Sequence, residues 1–170
     1  MNTRQIRLRM VLSVAALAYA SCSWFLPLPS DAAMEHTFRE NQKDFEQLRA
    51  LITEDSSVGT VEMVFQDYTA PSFEETCRKG FTADRLEKYH QLLRRLHLKG
   101  VMRLGNDSVF PAGAYGLLLK GAYKGYLYTE DKPKRLEPVL DGLSGGNCDY
   151  LVKSLQGHWY LYLRDYNTGN

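Results

Sequence analysis

A chain of 170 residues with 44% hydrophobic and 12% aromatic residues has enough apolar material for one packed domain, which excludes a disordered chain. The formal net charge of +1 gives no basic excess of the kind a nucleic-acid binder needs, so no nucleic-acid partner is expected. The charge is unevenly placed: Arg4, Arg7 and Arg9 hold all the basic charge ahead of Lys43 except Arg39, and no acidic residue precedes Asp31. Without those three arginines, 18 basic residues face 20 acidic ones, a net charge of −2.

After the arginines comes Met10-Val11-Leu12-Ser13-Val14-Ala15-Ala16-Leu17-Ala18-Tyr19-Ala20. A basic flank followed by an apolar run is the pattern of an export signal, and the flank keeps its end on the cytoplasmic side. Three fates stay open. Ala18-Tyr19-Ala20 fits a small-x-small cleavage site, which would make Ser21 the first mature residue. The apolar run also continues through Trp24 and Phe25, and Met10 to Leu26 is 17 residues, about 25 Å of helix, at the short end of what spans a bilayer. Cys22 is a lipidation candidate in the third. The expectation is an inner-membrane anchor over residues 1–29 with the domain in the periplasm, the alternatives being a cleaved periplasmic protein or a lipoprotein. Residues 27–33, Pro-Leu-Pro-Ser-Asp-Ala-Ala, read as a stiff linker that holds the domain off the membrane.

The exported domain, 34–166, opens with a helical pattern from Met34 to Ile52, in which Phe38, Phe45, Leu48, Leu51 and Ile52 share a face. Thr60 to Phe65 alternates and is β-branched, so it predicts a strand. Residues 66–81 read as loop. Thr82 is placed to cap a second helix, Ala83 to Leu98, with Leu86, Tyr89, Leu93 and Leu96 as its apolar stripe. Val101–Leu104 and Ser108–Phe110 flank Gly105-Asn106-Asp107 as a hairpin. Tyr115–Leu119 and Tyr123–Tyr128 predict two more strands, followed by an irregular region, then Tyr150–Leu155 and His158–Leu163. Helices first and short strands after imply an α+β fold: an N-terminal membrane helix, then two helices packed on one face of an antiparallel sheet of about five to seven strands.

Chemistry-bearing patterns are few. Gly142-Leu143-Ser144-Gly145-Gly146 matches G-x-S-x-G in letters only, since Pro138 disfavours a central strand before it and Asp149 and His158 follow too closely for a hydrolase sheet. His90 and His97 share a helix face but stand about 10 Å apart, too far to ligate one metal; His36 and His158 join no ligand set. Glu74-Glu75 and Glu130-Asp131 read as solvated loop pairs. No cofactor or metal is expected. Outside the cytoplasm Cys77 and Cys148 are expected to form a disulfide, whose loop of roughly 70 residues would contribute about 3–4 kcal/mol in the chain-entropy model.

Two features point to binding instead. The second helix carries Arg85, Lys88, Arg94 and Arg95, a basic face suited to an acidic partner or anionic lipid. The closing strands are crowded with tyrosine: with Trp159, Leu161 and Leu163 directed to the core, Tyr160 and Tyr162 are expected to face out beside Tyr126 and Tyr128. Such a face offers area and hydroxyls at low entropic cost.

The layout of basic N-terminus, apolar anchor, Phe-rich helix, Lys124-Gly125-Tyr126-Leu127-Tyr128 and closing Trp159-Tyr160-Leu161-Tyr162 resembles small uncharacterised bacterial envelope proteins of the lipoprotein kind. The resemblance covers most of the chain, and its motifs are structural; it implies an address and no activity. One departure is Tyr19, three residues before Cys22, where a lipobox usually has leucine. The expected function is a non-enzymatic, membrane-tethered envelope protein that binds a protein partner, and the alternative is a small envelope hydrolase. A deep cleft with converging polar side chains would favour the second.

Overall fold

Ser30 accepts a hydrogen bond from the Ala33 N–H and caps the first helix, α1 (Asp31–Glu40), whose Asp31 stands in the first turn where a carboxylate suits the helix dipole. The computed structural model describes residues 28–63, 69–117, 120–143 and 150–165. Residues 1–27, with the expected anchor, the Ala20 cleavage point and Cys22, lie outside the described residues. No helix among the described residues is long and apolar enough to cross a membrane.

The single helix predicted from Met34 to Ile52 is two. Asn41 interrupts it with φ −123°, and its side-chain amide donates to the Thr37 carbonyl at 2.9 Å, the kind of local bond by which asparagine competes with a helical ladder. The second helix, α2 (Gln42–Glu54), buries Phe45, Leu48, Leu51 and Ile52. A short helix, α3 (Phe73–Cys77), occupies part of the stretch read as loop and is held by a Ser72–Glu75 capping box. Helix α4 (Ala83–Arg95) starts where expected: the Thr82 hydroxyl accepts from the Arg85 N–H, and Tyr89, His90, Leu92 and Leu93 are buried.

Seven strands form one antiparallel sheet: β1 (Thr60–Glu62), β2 (Thr69–Ala70), β3 (Gly100–Leu104), β4 (Asp107–Leu117), β5 (Lys120–Tyr128), β6 (Tyr150–Ser154) and β7 (Trp159–Asp165), in the order β2-β1-β3-β4-β5-β7-β6. The fold is α+β, as expected, with four helices among the described residues. Strand β4 joins two segments read as separate strands, because a bulge between Pro111 and Gly113 carries the ladder past the proline.

Buried side chains of α1, α2 and α4 meet Phe110, Tyr126, Trp159, Leu161 and Leu163 of the sheet in one core, so the helices cover one face. At its centre the Phe45 ring lies 4.6 Å from that of Tyr126 and 5.6 Å from Trp159; such pairs contribute about 0.5–1.5 kcal/mol beyond their buried area. A smaller cluster of Val109, Val152 and Tyr162, with Met102 and Leu127 against it, occupies the opposite face.

Of the stretch read as a spacer, residues 28–33 belong to the fold. Leu28 packs against the main core, and Pro29 lies so close to Gly113 that a Cβ there would stand 2.6 Å from the proline ring. The folded domain therefore includes residues 28–33, ahead of the expected start at 34.

Candidate functional site

The register of β5 on β7 decides what became of the tyrosine face. Tyr126 is opposite Leu161, Tyr128 opposite Trp159, Leu127 opposite Tyr160 and Gly125 opposite Tyr162. Directly paired residues share a face, so Tyr126 and Tyr128 lie on the helix-covered side and Tyr160 and Tyr162 on the other. The expected single face of four tyrosines does not form. Tyr126 is buried and donates its hydroxyl to the Met34 carbonyl at 3.1 Å; burial pushes its phenol well above the usual tyrosine range. Tyr128 is half-buried, edge-on to Trp159 and 4.4 Å beneath the Arg49 guanidinium. Tyr160 and Tyr162 are buried too. The missed signal was Gly125: a Cβ there would come within 2.7 Å of the Tyr162 ring, so the glycine marks where that ring lies across the sheet.

The basic helix is largely neutralised from within. Arg85 donates to Asp55 at 2.8 Å and to Glu54 at 2.7 Å, Arg94 pairs with Glu87 at 2.6 Å, and Arg95 with Asp44 at 3.0 Å. Lys88 stands exposed. Asp55 also accepts from the Tyr89 hydroxyl at 2.8 Å. Burial, and then this bond to a carboxylate, push the Tyr89 phenol far upward, while the bond to Asp55 raises Arg85 in spite of its burial. Beside this cluster an open cleft of about 280 Å³ is lined by Glu54, Asp55, Ser56, Ser57, Lys79, Gly80 and Phe81. Its best-placed carboxylate, Asp55, is already committed to Arg85 and Tyr89. Cys77 is an exposed free thiol, and Cys148, its expected disulfide partner, lies outside the described residues.

A second charged cluster was not anticipated. Lys124, on the helix-covered face of β5 and only 2% exposed, places its ammonium 2.6 Å from an oxygen of Asp31 and 2.6 Å from one of Asp141. The Asp141 contact is an aligned hydrogen bond, and the Asp31 Oδ1 contact pairs the two charges at close range. Lys153 of β6 adds contacts of 3.2 Å to Asp31 and 2.6 Å to Glu35. Asp31 Oδ2 accepts the Leu140 N–H at 2.8 Å, and the Asp31 N–H reaches the Asp141 carboxylate at 3.0 Å. Burial alone would raise the Asp31 carboxyl, but the Leu140 N–H and the two ammonium groups outweigh it and hold the group below its ordinary 3.8. Lys153 is raised, chiefly by its bond to Glu35.

This cluster fixes the chain that leaves β5. Thr129 donates its N–H to the His158 carbonyl at 3.1 Å, and Glu137 donates to the Val152 carbonyl of β6 at 2.7 Å. Leu140 is buried in the main core, and Asp141 is held by Lys124 and the start of α1. Residues 129–143 are therefore irregular in backbone yet pinned at four points. Between the pins they display Leu136 and Val139, and just past the last of them Leu143, which are 42%, 48% and 43% exposed. Of the Gly142–Gly146 motif only Gly142 and Leu143 are described, and Gly142 takes φ 76°, a turn conformation. Comparison with known proteins finds no matching family model, no matching curated protein and no matching solved structure.

Proposed function

We propose that the chain is a non-enzymatic binding protein of the bacterial envelope, held at the inner membrane by its N-terminal apolar segment, and that it receives a protein partner on the loop after β5. The observation that carries the reading is the pinned loop with exposed Leu136 and Val139. More than a dozen residues without regular structure are uncommon inside a small domain, and when they are held in place they commonly serve recognition. Exposed aliphatic side chains on a fixed backbone add contact area without an ordering cost at binding. Arg4, Arg7 and Arg9 ahead of the Met10–Leu26 run support the address. The tyrosines first expected to form the interface are replaced in this role, since Tyr126 is a core residue. At the cleft lined by Glu54 and Phe81, the engagement of Asp55 with Arg85 and Tyr89 argues against a free acid or base for hydrolysis.

The test is photo-crosslinking in intact cells, with a photoreactive amino acid replacing Leu136, Val139 or, as a control, Lys88 on α4. The expected result is one discrete protein adduct from the loop positions and none from the helix. The same adduct from all three positions, or none from any, would sink the reading.

A further inference from the structure

We infer that the side of the sheet where β6 starts and β7 ends, three ladder pairs short of the Leu117–Lys120 end of β4 and β5, rests on the lipid surface itself, with Tyr123, Arg164 and Tyr150 as the contact. The inference builds on the membrane tether proposed above and asks how far from the bilayer the domain stands. The apolar run ends at Leu26, and Leu28, partly buried, already packs against the core. Two residues of extended chain reach at most about 7 Å, while the headgroup layer on one side of a bilayer is itself roughly 5–7 Å thick. No slack remains for a gap of water between domain and lipid.

The fold says which end of the domain comes down. Helix α1 starts beside Lys124, where Asp31 pairs with it, and advances past Tyr126, whose hydroxyl meets Met34, to Trp159, which Phe38 packs against. It thus runs away from the Leu117–Lys120 end of the β4–β5 ladder, and residues 28–30 ahead of it lie toward that end. Gly113, under Pro29, pairs with Lys124; one step closer to the hairpin's end, Ala114 pairs with Tyr123. Tyr123 is opposite Arg164, and Arg164 opposite Tyr150, so the three make a row across β5, β7 and β6.

The chemistry of that row suits an interface. Tyr123 and Tyr150 are 44% and 43% exposed, both among the few large apolar side chains left open. Arg164 donates to the Tyr150 hydroxyl at 2.8 Å and lies 4.8 Å over its ring. Tyrosine favours the headgroup level because its ring is apolar and its hydroxyl wet. An arginine stacked on an aromatic ring keeps its charge at the same depth. The opposite end of the sheet, toward the turn after Leu104, also has an arginine stacked on a tyrosine, Arg49 on Tyr128, but there the ring is half-buried against Trp159.

The full chain in phosphatidylcholine bilayers tests this, with a nitroxide side chain introduced through a keto amino acid in place of Tyr123, Tyr150 or Leu104 one at a time. The ratio of oxygen to aqueous nickel-chelate accessibility reads depth. It should be several-fold higher at 123 and 150 than at 104. Equal ratios at all three sites, in chain that resists carbonate extraction, overturn the lipid contact and leave the tether intact. Low access to both reagents at 123 and 150 overturns it in favour of a protein cover. Release by carbonate overturns the tether and this inference with it, so the two failures are told apart.

Discussion

The two charged clusters of this domain use the same residue types to different ends. The Asp31–Lys124 pair is enclosed, with Asp141 reaching it from the surface, and the cluster ties Asp31 to parts of the chain about 90 to 120 residues away in sequence. The Asp55–Arg85–Glu54 cluster sits at the rim of α2 and α4, with the Glu54 side chain 66% exposed. In the rim cluster, water can take over whatever a lost partner leaves behind. At the enclosed pair it cannot, because desolvation has already been incurred and whichever charge is left without its partner stays buried.

That contrast can be broken most directly at Lys124. Lys124→Met leaves Asp31 and Asp141 facing each other with only Lys153 nearby, and should destabilise the domain by about 3–5 kcal/mol in urea unfolding. A loss below about 1 kcal/mol would mean the enclosure is leaky to water and the two clusters are alike. Tyr89→Phe, which removes one donor from the part-buried Asp55, should cost about 1–1.5 kcal/mol. Acid titration sharpens the comparison further. Asp31 has its folded pKa held below 3.8, so its contribution is present above that value and is lost as pH falls through the lower folded value. The melting temperature should therefore drop below about pH 4, and Asp31→Asn should flatten part of that drop. A slope identical to the parent's would show that other carboxylates govern acid unfolding. The smallest effect lies outside both clusters. His97 follows α4 with φ 54° while the Leu98 N–H reaches back to the Leu93 carbonyl, a helix stop that favours glycine. His97→Gly should stabilise by about 0.5–1 kcal/mol, read as a small rise in melting temperature.

Local patterns were legible in the sequence where one residue type controls one event. Thr82 capped α4, Gly105-Asn106 turned the β3–β4 hairpin, and alternation placed Trp159, Leu161 and Leu163 in the core. The break at Asn41 and the Ser72–Glu75 capping box were also written locally, though five residues of α3 give too little periodicity to register as a helix. What the sequence did not show is relational. Which of Tyr126 and Leu127 faces the helices depends on register against β7, and a shift of one residue exchanges the faces. The enclosed cluster needs Asp31, Lys124, Asp141 and Lys153 to be brought together across the chain, and each of them alone reads as an ordinary surface charge. The Leu28–Pro29 contact was hidden for a similar reason, since prolines before a helix look the same in a spacer and in a packed strap.

The strap has a mechanical consequence. Any pull on the chain ahead of residue 28 passes Pro29 and Gly113 and arrives at Asp31, the first residue of α1. There it is shared at once by β5 through Lys124, by β6 through Lys153 and by the loop through Leu140 and Asp141. The load enters the domain as shear across several contacts together instead of peeling the helix turn by turn. A domain hung from its N-terminus would be fastened at the point where the force comes in.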